Sequence, residues 1–153
     1  MKVKPLLVSI AIALGVGTLA GFLSRGSGQV YETLVQPPLS PPGIVFPIVW
    51  SVLYVLMGIS AYLIWETQDP ARTRALAVYG VQLAVNFVWP LLFFNAQMFT
   101  LSFAWIVLLW VLVLWMVLLF YRIRPAAGLW QIPYLLWVSF ATYLNLGVAL
   151  LNG

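Results

Sequence analysis

Five long apolar runs divide this chain of 153 residues, at roughly 5–24, 44–65, 74–95, 101–121 and 129–151. Each holds 18 or more consecutive, mostly apolar residues without a charged side chain. At 1.5 Å per residue, a helix of that length crosses a hydrocarbon layer of about 30 Å. Transmembrane β-strands would instead read as alternating segments of about 10 residues with a polar lumen face. Only 7% of the residues are charged, against about 25% in an ordinary soluble domain, so the chain cannot cover a water-facing surface. The fold expected is an all-α integral membrane protein, a bundle of five transmembrane helices forming one domain over 1–153.

The chain starts with Lys2 and Lys4 ahead of the first apolar run. That run, at about 18 residues, is longer than the usual apolar core of a signal peptide, so it reads as a first membrane helix. Five spans place the termini on opposite sides. Six of the seven basic residues, Lys2, Lys4, Arg72, Arg74, Arg122 and Arg124, then fall on one side, and Arg25 alone on the other. The excess of positive charge puts the N-terminus in the cytoplasm and the C-terminus outside, in a membrane of the bacterial cell type. The net charge of +4 does not call for a nucleic-acid partner, because these residues simply flank the spans.

The absence of Cys and His removes disulfides, thiolate chemistry and the usual ligands of zinc and haem iron. No metal and no cofactor is expected. The three acids, Glu32, Glu66 and Asp69, lie in loops, so no span carries a carboxylate for a proton relay. No carboxylate pair, nucleophile–base pair or phosphate loop appears. Ser51, Ser60, Ser102, Ser139 and Thr142 read as hydroxyls bonded to helix carbonyls.

The stretch from Gln36 to Tyr62 organises what remains. Pro37, Pro38, Pro41 and Pro42 lock φ and remove backbone donors, giving a stiff, non-helical lip. Pro47 fits the first turn of the following helix. The long loop 25–43 is therefore expected to be an ordered lid. Beneath it, Trp50 and Tyr54 share a helix face, followed by the small Gly58 and Ala61. The third span carries Tyr79, Gln82, Asn86, Trp89 and Phe93 as a single stripe; the fifth carries Tyr134, Trp137, Ala141 and Asn145.

Uncharged polar groups in lipid mark inward faces. Gln82, Asn86 and Asn145 are either interhelical glue, worth about 0.6 kcal/mol each, or the lining of a cavity. Three mixed aromatic and amide faces together favour a shared cavity. Gly15, Gly17, Ala20 and Gly21 slim the first span, for close packing or for ligand room. Trp105, Trp110 and Trp115 are five apart and cannot share a face, so some must meet lipid or a partner. Pro90 should loosen the end of the third span. Gly80 and Ala84 form a small-xxx-small pair of the kind found at helix contacts.

The runs PPGIVFPIVWSVLYVLMGISAY, YGVQLAVNFVWPLLFF and PYLLWVSFATYLN together resemble the translocator protein family, also called the tryptophan-rich sensory protein or peripheral benzodiazepine receptor family. The resemblance covers nearly the whole chain. It implies a five-helix bundle, a homodimer, and a pocket for porphyrins, sterols and synthetic aromatic ligands closed by the first loop. Carried over, the ligand-binding residues are Tyr31, Pro42, Trp50, Tyr54, Gln82, Asn86, Trp137, Ala141 and Asn145. Leu39 stands where family members often have Trp, and no basic residue follows Tyr143, so a lid stacking role and cholesterol binding are not implied. The function expected is a membrane receptor, sensor or translocator for protoporphyrin IX, haem and other flat apolar ligands. The alternative is photo-oxidative porphyrin degradation using Trp50 and Trp137; a transporter or a purely structural subunit ranks lower.

Overall fold

A computed structural model describes residues 2–152, and among them every regular element is helical. Five helical stretches are long and apolar enough to cross a membrane. The protein is an all-α integral membrane protein. The first long helix is α1, Val3–Leu23. A short α2, Ser27–Thr33, follows, and then α3, Val45–Trp65. α4 is Arg72–Pro90 and α5 is Phe99–Ile123. The last stretch is split into α6, Pro125–Trp130, and α7, Ile132–Asn152.

The prolines shape these boundaries. Pro47 sits in the first turn of α3, as expected. Pro90 ends the regular part of α4, and Leu91–Asn95 continue as a single π turn. Pro125 opens α6 directly after Arg124, whose extended backbone (φ −151°, ψ 108°) breaks the chain direction. The fifth span, expected as one helix over 129–151, is two pieces that meet at a turn at Gln131. Loop 25–43, expected as an ordered lid, contains α2; Arg25 and Gly26 form a turn ahead of it, and the stretch around the prolines after it is non-helical. Ser27–Thr33 lies ahead of the first proline, where nothing prevents a turn or two of helix.

Small residues set the helix spacing. A Cβ on Gly58 would lie 2.5 Å from the Ile10 Cα, so α1 and α3 touch backbone to backbone there. Ser9 Oγ donates to the Gly58 carbonyl at 2.7 Å across that contact. Gly128 meets the Tyr121 backbone in the same way, seating α6 against α5. α1 is otherwise peripheral, with only Ala13 and Ala20 buried. The intramembrane hydroxyls are quenched as expected: Ser51, Ser139 and Thr142 bond carbonyls of their own helices, and Ser60 Oγ donates to the Ala127 carbonyl. The α5 tryptophans diverge. Trp105 Nε1 donates to the Val85 carbonyl, Trp110 Nε1 to Ser139 Oγ, and Trp115 stays largely exposed, with the Arg74 guanidinium 5.6 Å from its ring.

Each end of the bundle is tied by polar contacts. At one end the Lys2 backbone N–H donates to the Tyr62 hydroxyl, which donates to Glu66 Oε2. Arg124 Nη1 bonds Glu66 Oε1 at 2.6 Å. At the other end the lid lies across α7. Asn152 accepts from the Val35 N–H at 2.9 Å and donates to the Val35 carbonyl at 2.7 Å. Tyr143 donates to the Pro38 carbonyl, and Gly147 gives way to the Pro37 ring. The lid turn places Leu39 at φ 70° and almost fully exposed, a left-handed position costly for a branched side chain.

The Arg124 hydrogen bond, and then that of Tyr62, hold the Glu66 carboxyl below the usual carboxylate range. A depressed value stabilises the fold above the unfolded value of about 4.3, and this contribution is lost as pH falls through the folded value. Thermal unfolding in detergent should show a melting temperature that drops below that pH; Glu66→Gln should lower it at pH 7 and flatten the drop. An equally steep drop in Glu66→Gln would place the acid sensitivity elsewhere. At the opposite end, Asn152→Ala should speed amide exchange at Val35 several-fold, about the effect of one net hydrogen bond. Unchanged exchange would mean that the prolines with the Tyr143 and Tyr31 bonds hold the lid without this clasp.

Candidate functional site

A cavity of about 340 Å³ lies between α1, α2, α3 and α4, beneath the lid. One wall is aromatic. Phe46, Trp50 and Tyr54, spaced one turn apart on α3, all line it, with Trp50 and Tyr54 ring centroids 5.8 Å apart. Tyr31 of α2 covers the top, its ring edge-on to Phe46 at 5.0 Å and its hydroxyl bonded to the Pro41 carbonyl. Burial raises the Tyr31 phenol above its ordinary value, so it stays neutral. From α4 come Asn86, Trp89 and Pro90, and Phe94 follows from the π turn.

The opposite wall is small. Gly17, Ala20 and Gly21 of α1 face the cavity. At Gly17 a side chain would strike the Tyr54 ring, whereas a Cβ on Gly21 would meet nothing within 4 Å. The slim middle of the first span thus serves both purposes its composition allowed. Close packing occurs at Gly17, and open room remains at Gly21.

The polar groups form two chains. Tyr54 donates to Asn86 Oδ1, Asn86 Nδ2 donates to the Tyr134 hydroxyl, and Tyr134 donates to Gln82 Oε1, each at 2.7 Å. Trp89 Nε1 donates to Asn145 Oδ1 at 2.9 Å, and Asn145 Nδ2 to the Phe99 carbonyl. Only Tyr54, Asn86 and Trp89 of these reach the cavity. No charged side chain lines it. No group of three His, Cys, Asp or Glu side chains gathers among the described residues. The arrangement can bury an apolar ring, meet it with aromatic edges and faces, and offer uncharged hydrogen-bond partners.

The nine carried-over residues therefore divide. Tyr31, Trp50, Tyr54 and Asn86 line the cavity. Gln82 and Asn145 stand behind it, bonded to residues that hold the lining. Ala141 is buried in the core and Pro42 is exposed; neither lines the cavity. Trp137 lies across the aromatic wall, 6.4 Å from Trp50 and 5.8 Å from Phe46. It lines a separate apolar groove of about 480 Å³ between α3 and α7, with Val52, Leu56 and Phe140. The expected third face, from the fifth span, is thus replaced by α1 and α2. Arg25, the only basic residue of the lid, is drawn over the Phe22 ring at 4.6 Å and is not part of the lining. Phe46 could have been found in the sequence, since 46, 50 and 54 continue one stripe by single turns.

The chain is also similar to known proteins over nearly its whole length. Residues 9–151 match the profile of the TspO/MBR family. The chain is 33% identical over 156 residues to the tryptophan-rich protein TspO of Chlorobaculum tepidum, covering 99% of this chain and 98% of that one. It is equally similar, at 33%, to the protein of the same name from Archaeoglobus fulgidus, covering 99% of each chain. It is 31% identical over 140 residues to the translocator protein of Homo sapiens, covering 90% of this chain and 83% of that one. A match over nearly the whole length, on a five-span helical bundle with an aromatic cavity under a proline lid, establishes that the chain belongs to the TspO/MBR family of membrane proteins.

Proposed function

We propose that the protein is a membrane sensor or translocator that binds flat, apolar ring systems, porphyrins among them, in the cavity under the lid. The observation that carries this reading is the lining itself. Trp50, Tyr54, Phe46 and Trp89 supply π surface, Gly21 leaves room opposite them, and Tyr54 and Asn86 supply the polar contact. At about 340 Å³ the cavity sits near the lower end of ligand pockets, which run from about 300 to 1,000 Å³. A compact ring fits with the lid closed. A tetrapyrrole requires α2 and the proline strap to lift, which makes the Asn152–Val35 clasp part of its binding. With no His or Cys in the chain, free protoporphyrin should bind at least as well as haem.

The same reading places the Lys2, Glu66 and Arg124 end in the cytoplasm and the lid outside, by the bias of basic residues. It also makes a homodimer through α4, where Gly80 and Ala84 are exposed on the outer face.

A protoporphyrin titration in detergent and in the dark, read by tryptophan fluorescence, checks the site. Quenching should saturate. Gly21→Phe should fill the cavity from α1 and weaken binding more than tenfold. Trp137→Phe, one ring removed, should weaken it less. Asn152→Ala should speed association. Quenching that never saturates, or affinity untouched by Gly21→Phe, would contradict the cavity as the binding site.

A further inference from the structure

The hydrogen-bond chain behind the cavity has a direction, and that direction is not forced by its geometry. It runs from Tyr54 through Asn86 and Tyr134 to Gln82, and it ends on the Gln82 side-chain NH2, which is buried and has no acceptor. An amide presents a donor on one side and an acceptor on the other, and a phenol both gives and takes. Turning both amides over and rotating both hydroxyls reverses every bond while leaving each heavy-atom distance at 2.7 Å. Gln82 Nε2 then donates to Tyr134, Tyr134 to Asn86 Oδ1, and Asn86 Nδ2 to Tyr54.

The two directions differ in what they leave over. In the observed one, Tyr54 spends its proton on Asn86 and shows the cavity only lone pairs, while the buried Gln82 NH2 goes unused. In the reverse one, the Gln82 NH2 is used and the Tyr54 O–H is free to donate into the cavity. The first direction leaves a further Gln82 N–H without an acceptor and the second leaves the Tyr54 O–H without one, so the two lie close in energy while the cavity is empty, the second carrying the penalty of that free O–H. A ligand acceptor beside Tyr54 removes that penalty and tips the chain to the second.

Resting on the cavity reading above, we propose that Tyr54, Asn86, Tyr134 and Gln82 form a reversible relay. It lets one cavity accept neutral aromatic molecules bearing either a hydroxyl or a carbonyl, and it reports which has bound to the α4–α7 contact. Gln82 and Tyr134 are positioning residues in this scheme, since neither lines the cavity.

The test uses three matched probes: 2-acetylnaphthalene, a carbonyl acceptor; 2-naphthol, a hydroxyl donor; and 2-ethylnaphthalene, which has neither. Affinities are measured by calorimetry on the full chain in detergent. In Gln82→Met the observed direction strands the Tyr134 proton, whereas the reverse strands only a lone pair. This variant should therefore tighten 2-acetylnaphthalene and weaken 2-naphthol, changing their affinity ratio by about fivefold or more. 2-Ethylnaphthalene should be unmoved. Tyr134→Phe should shift the ratio the same way, because Asn86 then keeps its NH2 bonded by turning toward Tyr54. It serves alone if Gln82→Met does not fold. Adding Gln82→Met to Tyr134→Phe should change nothing further.

Loss of affinity for all three probes together, or an unchanged ratio, would overturn the relay and make Gln82 simple packing while leaving the cavity standing. Failure of all three probes to bind the unaltered protein would contradict the cavity and the relay with it.

Discussion

Buried amides in a bilayer have no water to turn to, and the interior of this protein is arranged around that fact. Gln82, Asn86 and Asn145 are each almost wholly buried, and each is bonded across to another segment of the chain. Asn86 alone joins α3 to α7 through the hydroxyls of Tyr54 and Tyr134. Asn145 fixes the Trp89 indole and ties α7 to the start of α5. These bonds orient three of the side chains that face the cavity. The cavity is thus a consequence of satisfying the amides from one side only. α4 is held by α5 and α7, and α1, with few buried residues, is left to close the other side loosely.

The lid follows a different logic. Its prolines carry no N–H to satisfy, so a non-helical strap can lie across the end of the bundle at low cost. The few groups left are met by Asn152, Tyr143 and Tyr31, which bond Val35, Pro38 and Pro41. Leu39 pays for the turn with a left-handed backbone and an exposed side chain. A cover held by three or four peripheral bonds opens more readily than the bundle it rests on.

Much of the fold was legible because lipid permits so little: an uncharged apolar run long enough to span has to be a helix. The role of Pro47 and the loosening at Pro90 followed from proline geometry. The divergence of Trp105, Trp110 and Trp115 followed from counting residues per turn. The cavity was legible in part. Periodicity tells which residues share a face, and the stripes through Tyr54 and Asn86 were real. It does not tell which neighbour that face meets. Trp137 shares a stripe with Tyr134, yet it falls beyond the aromatic wall, because rotation of α7 is decided by packing on α5. The contribution of α1 was hidden for the same reason, since glycines announce room without saying whose side chain fills it. The break at Gln131 falls two residues before Pro133, which fits the first turn of α7 and not the interior of a helix continuing from α6, whereas no strong local signal marks the short α2.

A flat apolar molecule could sit in the cavity under the lid or in the α3–α7 groove. A crystal structure of the protein soaked with 6-bromo-2-acetylnaphthalene, phased on the bromine's anomalous signal, separates the two most directly. The bromine should lie between α1 and α3, near Gly21 and Trp50, with the carbonyl oxygen within hydrogen-bonding reach of Tyr54. A bromine found instead in the α3–α7 groove beside Trp137 and Phe140 would contradict the cavity as the site, and would move the binding site to the lipid-facing side of the aromatic wall.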